Sequence, residues 1–248
     1  MLLATDEIHI WTVQDALIQD PVLLSAYQSL LNPDEVAIQK RFHFAKHQHQ
    51  SLITRTLVRT VLSHYAPHIA PAAWEFTFNT YGKPYLSSKF SDLNLFFNIS
   101  HTDNFIVLAI SSSDHLGVDV ENWRRETQLL KMPNKIFSPQ ENATLFNLVG
   151  EEKQKYFYSL WTLKEAYSKA LGRGLSIPLD EVTFSLEGKT IQMSSQTEDE
   201  ANNWKFYQLV LQEDFTISIA TERMQPQQLV MYNSIPFGLE EITPIHLC

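Results

Sequence analysis

Trp161-Thr162-Leu163-Lys164-Glu165-Ala166-Tyr167-Ser168-Lys169 is the stretch on which the reading of this chain turns. It predicts the middle of a helix that stops at Gly172. Lys169 follows Glu165 by four positions, so the two side chains share a helix face. A carboxylate one turn from a cation suits a site that grips a magnesium-bound phosphate. Glu and Lys four apart are also a common solvated pair, so the pattern draws its weight from a second acidic pair upstream.

That pair is Asp119 and Glu121 in Gly117-Val118-Asp119-Val120-Glu121. Residues two apart in a strand point to the same face, and here the valines face the other way, toward a core. Two carboxylates on one face repel each other unless a cation lies between them. Magnesium is the natural partner, being a hard ion that takes oxygen ligands from one or two carboxylates and a substrate phosphate. An exposed strand end is the alternative. Glu165 as a third carboxylate favours the cation, provided its helix packs across the strand.

Phe97-Asn98-Ile99-Ser100-His101 ends another strand and offers a hydroxyl and an imidazole, either to phosphate oxygens or to an ordinary turn. Ser100 lacks the glycine-flanked elbow of a serine nucleophile. Tyr81-Gly82-Lys83-Pro84 predicts a turn between strands, as a hairpin loop or a ligand contact. Glu141, three residues after Ser138 in Ser138-Pro139-Gln140-Glu141, is either the acid of a capping box or a general base.

Composition bounds the partners. With 44 % apolar residues, the 248-residue chain can bury one large core or two small ones. A net charge of −9 argues against general nucleic-acid binding. Yet no acid stands between Glu35 and Glu75, where Lys40, Arg41, Lys46, Arg55, Arg59 and five histidines fall. Such a strip is a local anion site or a solvated helix face. Cys248 is the only cysteine, so no disulfide within the chain is available and a reducing, cytoplasmic home is expected. Asp6 and Glu7 interrupt the N-terminus before a signal-peptide run develops, and the longest apolar runs are far short of a membrane span.

Element order suggests an α+β chain. Strands are expected at 7–13, 75–79, 95–100, 105–111, 117–121, 182–186, 204–211 and 215–221. Helices are expected from Asn32 to about Phe44, from about Gln48 to Tyr65, after Ser138 and around Trp161. Each half runs through helices into antiparallel strands. This suggests two similar α+β lobes, at 1–113 and 114–224, and a loosely composed tail at 225–248.

The motifs Phe97 to His101, Gly117 to Glu121 and Trp161-x-x-Lys164-Glu165-Ala166-x-x-Lys169, in this order and spacing, resemble the phosphopantetheinyl transferases. The length resembles the larger, single-chain class serving peptide, polyketide and fatty-acid synthases. Tyr81 to Pro84, Phe137-Ser138-x-x-Glu141 and Gly172-Arg173-Gly174-Leu175 are similar to that class too. The resemblance implies two pseudo-twofold related lobes, each with helices packed on a small antiparallel sheet, with coenzyme A in the ligand cleft between them, and transfer of its 4′-phosphopantetheine arm to a serine of an acyl or peptidyl carrier protein. It implies Mg2+ on Asp119, Glu121 and Glu165, and phosphate contacts from Ser100, His101 and Lys169. Gly82, Lys83 and Pro84 would lie along the adenine, and Lys164 accompanies the metal motif. The base that takes the serine proton is Glu141 or Glu165. Glu141 is favoured, because a carboxylate on magnesium loses basicity. The lysines that relatives place before the Arg-Phe pair are replaced here by Glu35 and Ile38, which leaves Lys40, Arg41 and Lys46, with Arg55 behind them, as candidates for the 3′-phosphate.

A magnesium-dependent phosphohydrolase using the same carboxylates is a rival, as is a non-catalytic coenzyme-A-binding or carrier-docking protein. An acidic helical carrier is expected to dock on the stretch 122–140, where Arg124, Arg125, Lys131 and Lys135 face the single acid Glu126. A monomer without membrane or nucleic-acid partners completes the expectation.

Overall fold

The computed structural model describes residues 1–125, 136–186, 191–195, 203–222, 228–237 and 245–247. Two sheets lie face to face, and a long helix covers the outer side of each. The first half contributes β1 (Glu7–Val13), helices α1 (Pro21–Gln28), α2 (Pro33–Lys40) and α3 (Ala45–Tyr65), the small hairpin β2 (Phe76–Phe78) and β3 (Pro84–Leu86), then β4 (Phe96–Thr102) and β5 (Phe105–Ser111). The second half contributes β6 (Leu116–Asn122), α4 (Pro139–Asn147), α5 (Gly150–Leu171), the short pair β7 (Thr183–Ser185) and β8 (Gln192–Ser194), then β9 (Trp204–Leu211) and β10 (Phe215–Glu222). Last come β11 (Gln228–Asn233) and β12 (Ile245–Leu247).

The first sheet has the order β12-β11-β1-β5-β4 and the second β6-β10-β9. Alternation decides which face each residue takes. On β5, Ile106, Leu108 and Ile110 join Leu57, Val61 and Trp11 in a core under α3. Phe105, Val107 and Ala109 point the other way, into a core shared between the sheets with Ile8, Ile10, Val118, Val120, Ile217 and Ile219. A third core, under α5, collects Phe157, Leu160, Leu163, Phe184 and Phe206. The α+β class and the helix-plus-sheet build of both halves match the expectation.

Local chemistry sets the helix boundaries. Asn32 and Ser138 cap α2 and α4 through complete capping boxes with Glu35 and Glu141, each with proline at the first helical position. Helix α5 ends at Gly172, whose left-handed φ of 66° a residue with a side chain adopts only with strain. Gly117 has a different duty. A Cβ there would lie 1.9 Å from the Ala166 carbonyl oxygen, so its bareness lets α5 lie directly on β6.

The expected loose tail is corrected. Residues 228–233 form β11, which pairs in parallel with β1 from Glu7↔Gln228 to Thr12↔Asn233, and β12 pairs with β11. The glutamine and proline content upstream masked an apolar segment, Leu229 to Tyr232, that is buried in the first sheet. The chain therefore returns to its first half to finish that sheet.

Candidate active site

The edge strands β4 and β6 come side by side, and their polar residues meet. Asn98 on β4 accepts the Val118 backbone N–H of β6 at 2.9 Å. Two residues on, the Ser100 hydroxyl donates to Asp119 Oδ1 at 2.8 Å, and two further, Thr102 donates to Glu121 Oε2 at 3.1 Å. The period of two puts these contacts in one row. Helix α5 lies above the row and delivers Lys169, whose ammonium donates to Asp119 Oδ1 at 2.7 Å and to Ser100 Oγ at 2.8 Å.

Glu165 stands one turn before Lys169 on α5. Burial, then the Asp119 charge, pushes its carboxyl above the usual range. Burial and Asp119, in that order, push Glu121 up to about 7. Three acids thus crowd one another in a partly dry place, which is costly without a cation. Asp119 Oδ2 is buried and has no hydrogen-bond partner. An orphaned carboxylate oxygen beside two further carboxylates is the hard oxygen donor set of a divalent ion such as Mg2+. Among the described residues no three acidic, histidine or cysteine side chains form a ready ligand cluster. Part of Asp119 is instead neutralised by Lys169.

This row opens into a cavity of about 470 Å³. Its walls bring together Arg55 of α3, Gly82 to Pro84 of the small hairpin, Ser100 and His101 of β4, Asp119 of β6, and Lys169 with Gly172 and Gly174 at the end of α5. His101 lines the cavity, and partial desolvation there, then the Lys169 charge, holds its imidazole below its ordinary pKa. The hairpin is pinned to the second half: Asn79 accepts from the Tyr81 and Lys83 backbone N–H groups at 2.9 Å each and donates to the Gly172 carbonyl at 2.7 Å.

Several expectations need correction. The Glu141 carboxylate does not face this cavity. It is fully buried under α5, accepts from the backbone N–H groups of Ser138 (2.7 Å) and Phe184 (2.8 Å), and pairs with Lys164 Nζ at 2.8 Å. Lys164 also donates to the Leu179 and Val182 carbonyls and is equally buried. Neither reaches a ligand in the cavity. Lys83 lines the cavity with its stem, but its ammonium donates to the carbonyls of Asp114, Leu116 and Ala170 at 3.0–3.2 Å. Burial brings its pKa down to about 8. Its ammonium ties the hairpin to β6 and α5, and only its stem is left on the cavity wall, beside Gly82 and Pro84. Lys40 and Arg41 are exposed at the end of α2, Lys46 pairs with Asp103 at 3.5 Å, and none of the three lines the cavity. Arg55 does. Asn79, Asn98 and Thr102 were missed, because only the pairing of strands and hairpin across the two halves gives them their contacts. Of the expected docking stretch, Arg124 pairs with Asp214 and stacks on Trp123, while Lys131 and Lys135 lie outside the described residues.

Comparison with known proteins shows the family. A family described as the 4′-phosphopantetheinyl transferase superfamily matches residues 115–220, and the 4′-phosphopantetheinyl transferase N-terminal family matches residues 20–113. The transferase HetI of Nostoc sp. is 32 % identical over 220 residues, covering 89 % of this chain and 90 % of its own. This chain belongs to the phosphopantetheinyl transferases. A 4′-phosphopantetheinyl transferase of Bacillus subtilis is 35 % identical over 148 residues, 60 % of this chain and 63 % of that one. The crystal structure of the Thermotoga maritima holo-[acyl-carrier-protein] synthase aligns with a TM-score of 0.37 at 17 % identity, over 48 % of this chain and 68 % of that one. The two family matches of this transferase meet at residues 113 and 115, where β5 hands over to β6.

Proposed function

We propose that this phosphopantetheinyl transferase performs its reaction in the cavity between β4, β6 and the end of α5. The enzyme transfers the 4′-phosphopantetheine group of coenzyme A to a serine of an apo carrier protein and releases adenosine 3′,5′-bisphosphate. The carrier serine oxygen bonds to the phosphorus that bears the pantetheine arm. The bond from that phosphorus to the bridging oxygen breaks, and the electron pair leaves with the bisphosphate. Lys169, Ser100 and His101 hold the diphosphate oxygens, where the negative charge grows. Asp119, Glu121 and Glu165 would hold Mg2+, which when bound supplies electrostatic stabilisation of that charge. With Glu141 locked in a buried ion pair, Glu165 is the remaining candidate to accept the serine proton, a role it would fill with the basicity that a bound Mg2+ leaves it.

The observation that supports this reading is the bonding of Lys169 and Ser100 to one oxygen of Asp119 on a cavity wall, with its other oxygen unpartnered. The first half would take the adenine end, against Gly82 and Pro84, and the second half the metal and the reacting phosphate. The net charge of −9 supports a working state without nucleic acid, and the single cysteine supports a reducing, cytoplasmic setting. No helix among the described residues is long and apolar enough to cross a membrane. We take the working unit as a monomer, because one chain supplies every group named above.

The test is incubation with labelled coenzyme A, magnesium and a panel of apo carriers. Label should move to the carrier serine with stoichiometric release of adenosine 3′,5′-bisphosphate. Cleavage of coenzyme A without a carrier would point to a hydrolase instead.

A further inference from the structure

We propose that Gln50 of α3 is a positioning residue for the acidic row: it fixes the end of β4, so that Thr102 holds Glu121 in place to take Mg2+. The proposal rests on Asp119, Glu121 and Glu165 being the Mg2+ site.

The row needs such a support at its far end. β4 and β6 belong to different sheets, so their register is set by side chains. Asn98 accepts the Val118 N–H, Ser100 donates to Asp119, and Thr102 donates to Glu121. Ser100 and Asp119 are also gripped by Lys169. Thr102 and Glu121 stand beyond that grip, where β4 turns into β5 through Asp103 and Asn104, the latter with a left-handed φ of 64°. Glu121 shares its face with Asp119, and like charges on one face push each other aside. The 3.1 Å bond from Thr102 Oγ1 resists that push only when Thr102 is itself held.

Gln50 holds it. Its Nε2 donates to the Thr102 carbonyl at 2.8 Å and to Asp15 Oδ1 at 3.3 Å. A carbonyl can only accept, so the amide nitrogen and not the oxygen must face Thr102. Gln50, Thr102 and Asp15 are all buried, and water does not replace either bond if Gln50 is lost. Asp15 opens the short 3-10 turn after β1, and His49 Nε2 donates to its carbonyl at 2.9 Å. The start of α3 thus ties the exit of β1 to the end of β4, and Lys46 adds its pair with Asp103. The contacts run in series from Asp15 through Gln50 and Thr102 to Glu121. Gln50 does not line the cavity, so its influence on the site passes through Thr102.

The experiment titrates Mg2+ calorimetrically into enzyme saturated with coenzyme A, without carrier. It compares the wild type with Gln50→Met, Gln50→Arg, Thr102→Val and the double variant Gln50→Met/Thr102→Val. Thr102→Val should weaken Mg2+ binding about 10- to 100-fold, the usual effect of removing the partner of a metal ligand, and Gln50→Met about tenfold. The double variant should match Thr102→Val alone, because the two residues act in series. Gln50→Arg should stay near the wild type, since its fork offers donors to both the Thr102 carbonyl and the Asp15 carboxylate. Coenzyme A affinity in chelator should be unchanged throughout, which a general loosening of the fold would not allow. Gln50→Ala serves if Gln50→Met does not fold. Wild-type Mg2+ affinity in the Gln50 truncation overturns the proposal, as do additive losses in the double variant or a parallel loss of coenzyme A affinity in chelator. Asp119→Ala in the same titration separates this proposal from the reading beneath it. Loss of Mg2+ there, with none in the Gln50 truncation, keeps the site and removes Gln50 from it. Full Mg2+ affinity in Asp119→Ala removes the site reading and this proposal with it.

Discussion

The Lys164 ammonium stands 2.8 Å from the Glu141 carboxylate, and neither side chain reaches solvent. The pair fastens α4 to α5, and Phe184 and Ser138 fill the remaining carboxylate positions. Removing one partner of such a pair strands a charge in the core, at a cost of about 3–5 kcal/mol. Glu141→Gln and Lys164→Met should each lower the unfolding free energy by about that much. The double replacement should lose less than either alone. Turnover per folded molecule should persist in the double variant at low temperature. A stable Glu141→Gln protein without activity would return Glu141 to the role of base.

In the proposed site, Asp119 would carry the charge chemistry. Asp119→Ala should lower kcat by about 10²–10³-fold or more, since it removes a carboxylate that organises the transition-state electrostatics. A chelator should abolish transfer in the wild type and added magnesium should restore it. Full turnover after exhaustive chelation would remove Mg2+ from the proposal.

Glu121 makes stability depend on pH in the metal-free protein. Its folded pKa of about 7 lies above the ordinary 4.5. Between these values the folded state holds the proton and the unfolded state has released it. The stabilising contribution is fully present below the unfolded pKa and is lost as pH rises through the folded one. The loss is on the order of 3 kcal/mol. In chelator at pH above about 8, Glu121→Gln should melt at a higher temperature than wild type, and magnesium should close the gap. Equal melting temperatures at every pH would show that Glu121 is not destabilised.

Gly117 lets α5 touch β6. Gly117→Ala would set a methyl 1.9 Å from the Ala166 carbonyl oxygen and 2.5 Å from the Ala170 backbone nitrogen, so the helix must shift. We expect a loss of about 2–4 kcal/mol. Because α5 also delivers Lys169 to Asp119, kcat should fall at temperatures where the variant is still folded. A thermally neutral, fully active variant would contradict this packing.

Much of this was legible before the structure. Helix starts at Asn32 and Ser138 followed from capping chemistry, and the stop at Gly172 from its conformational freedom, all properties of neighbouring residues. The placing of Asp119 and Glu121 away from the valines followed from the strand period. The β11 strand was not legible, because its partner β1 lies more than 200 residues away and its flanks have loop composition. Nor was the fate of the lysines. Lys83, Lys164 and Lys169 are alike as letters, yet the first two end on buried carbonyls and a buried carboxylate, while Lys169 meets Asp119 at the cavity.

By itself, the sequence determined the capped helices, the strands from β4 to β6 and the family, and it pointed to the carboxylates proposed for the site, because periodicity, capping and ordered motifs are carried by residues close along the chain. Only the tertiary structure decided that Glu141 and Lys164 neutralise each other, that Lys83 bolts the hairpin down and that Gln50 meets Thr102 at the end of β4. The reason is physical: a charge's role depends on which opposite charges and acceptors the fold brings within a few ångströms, and on how much water remains there.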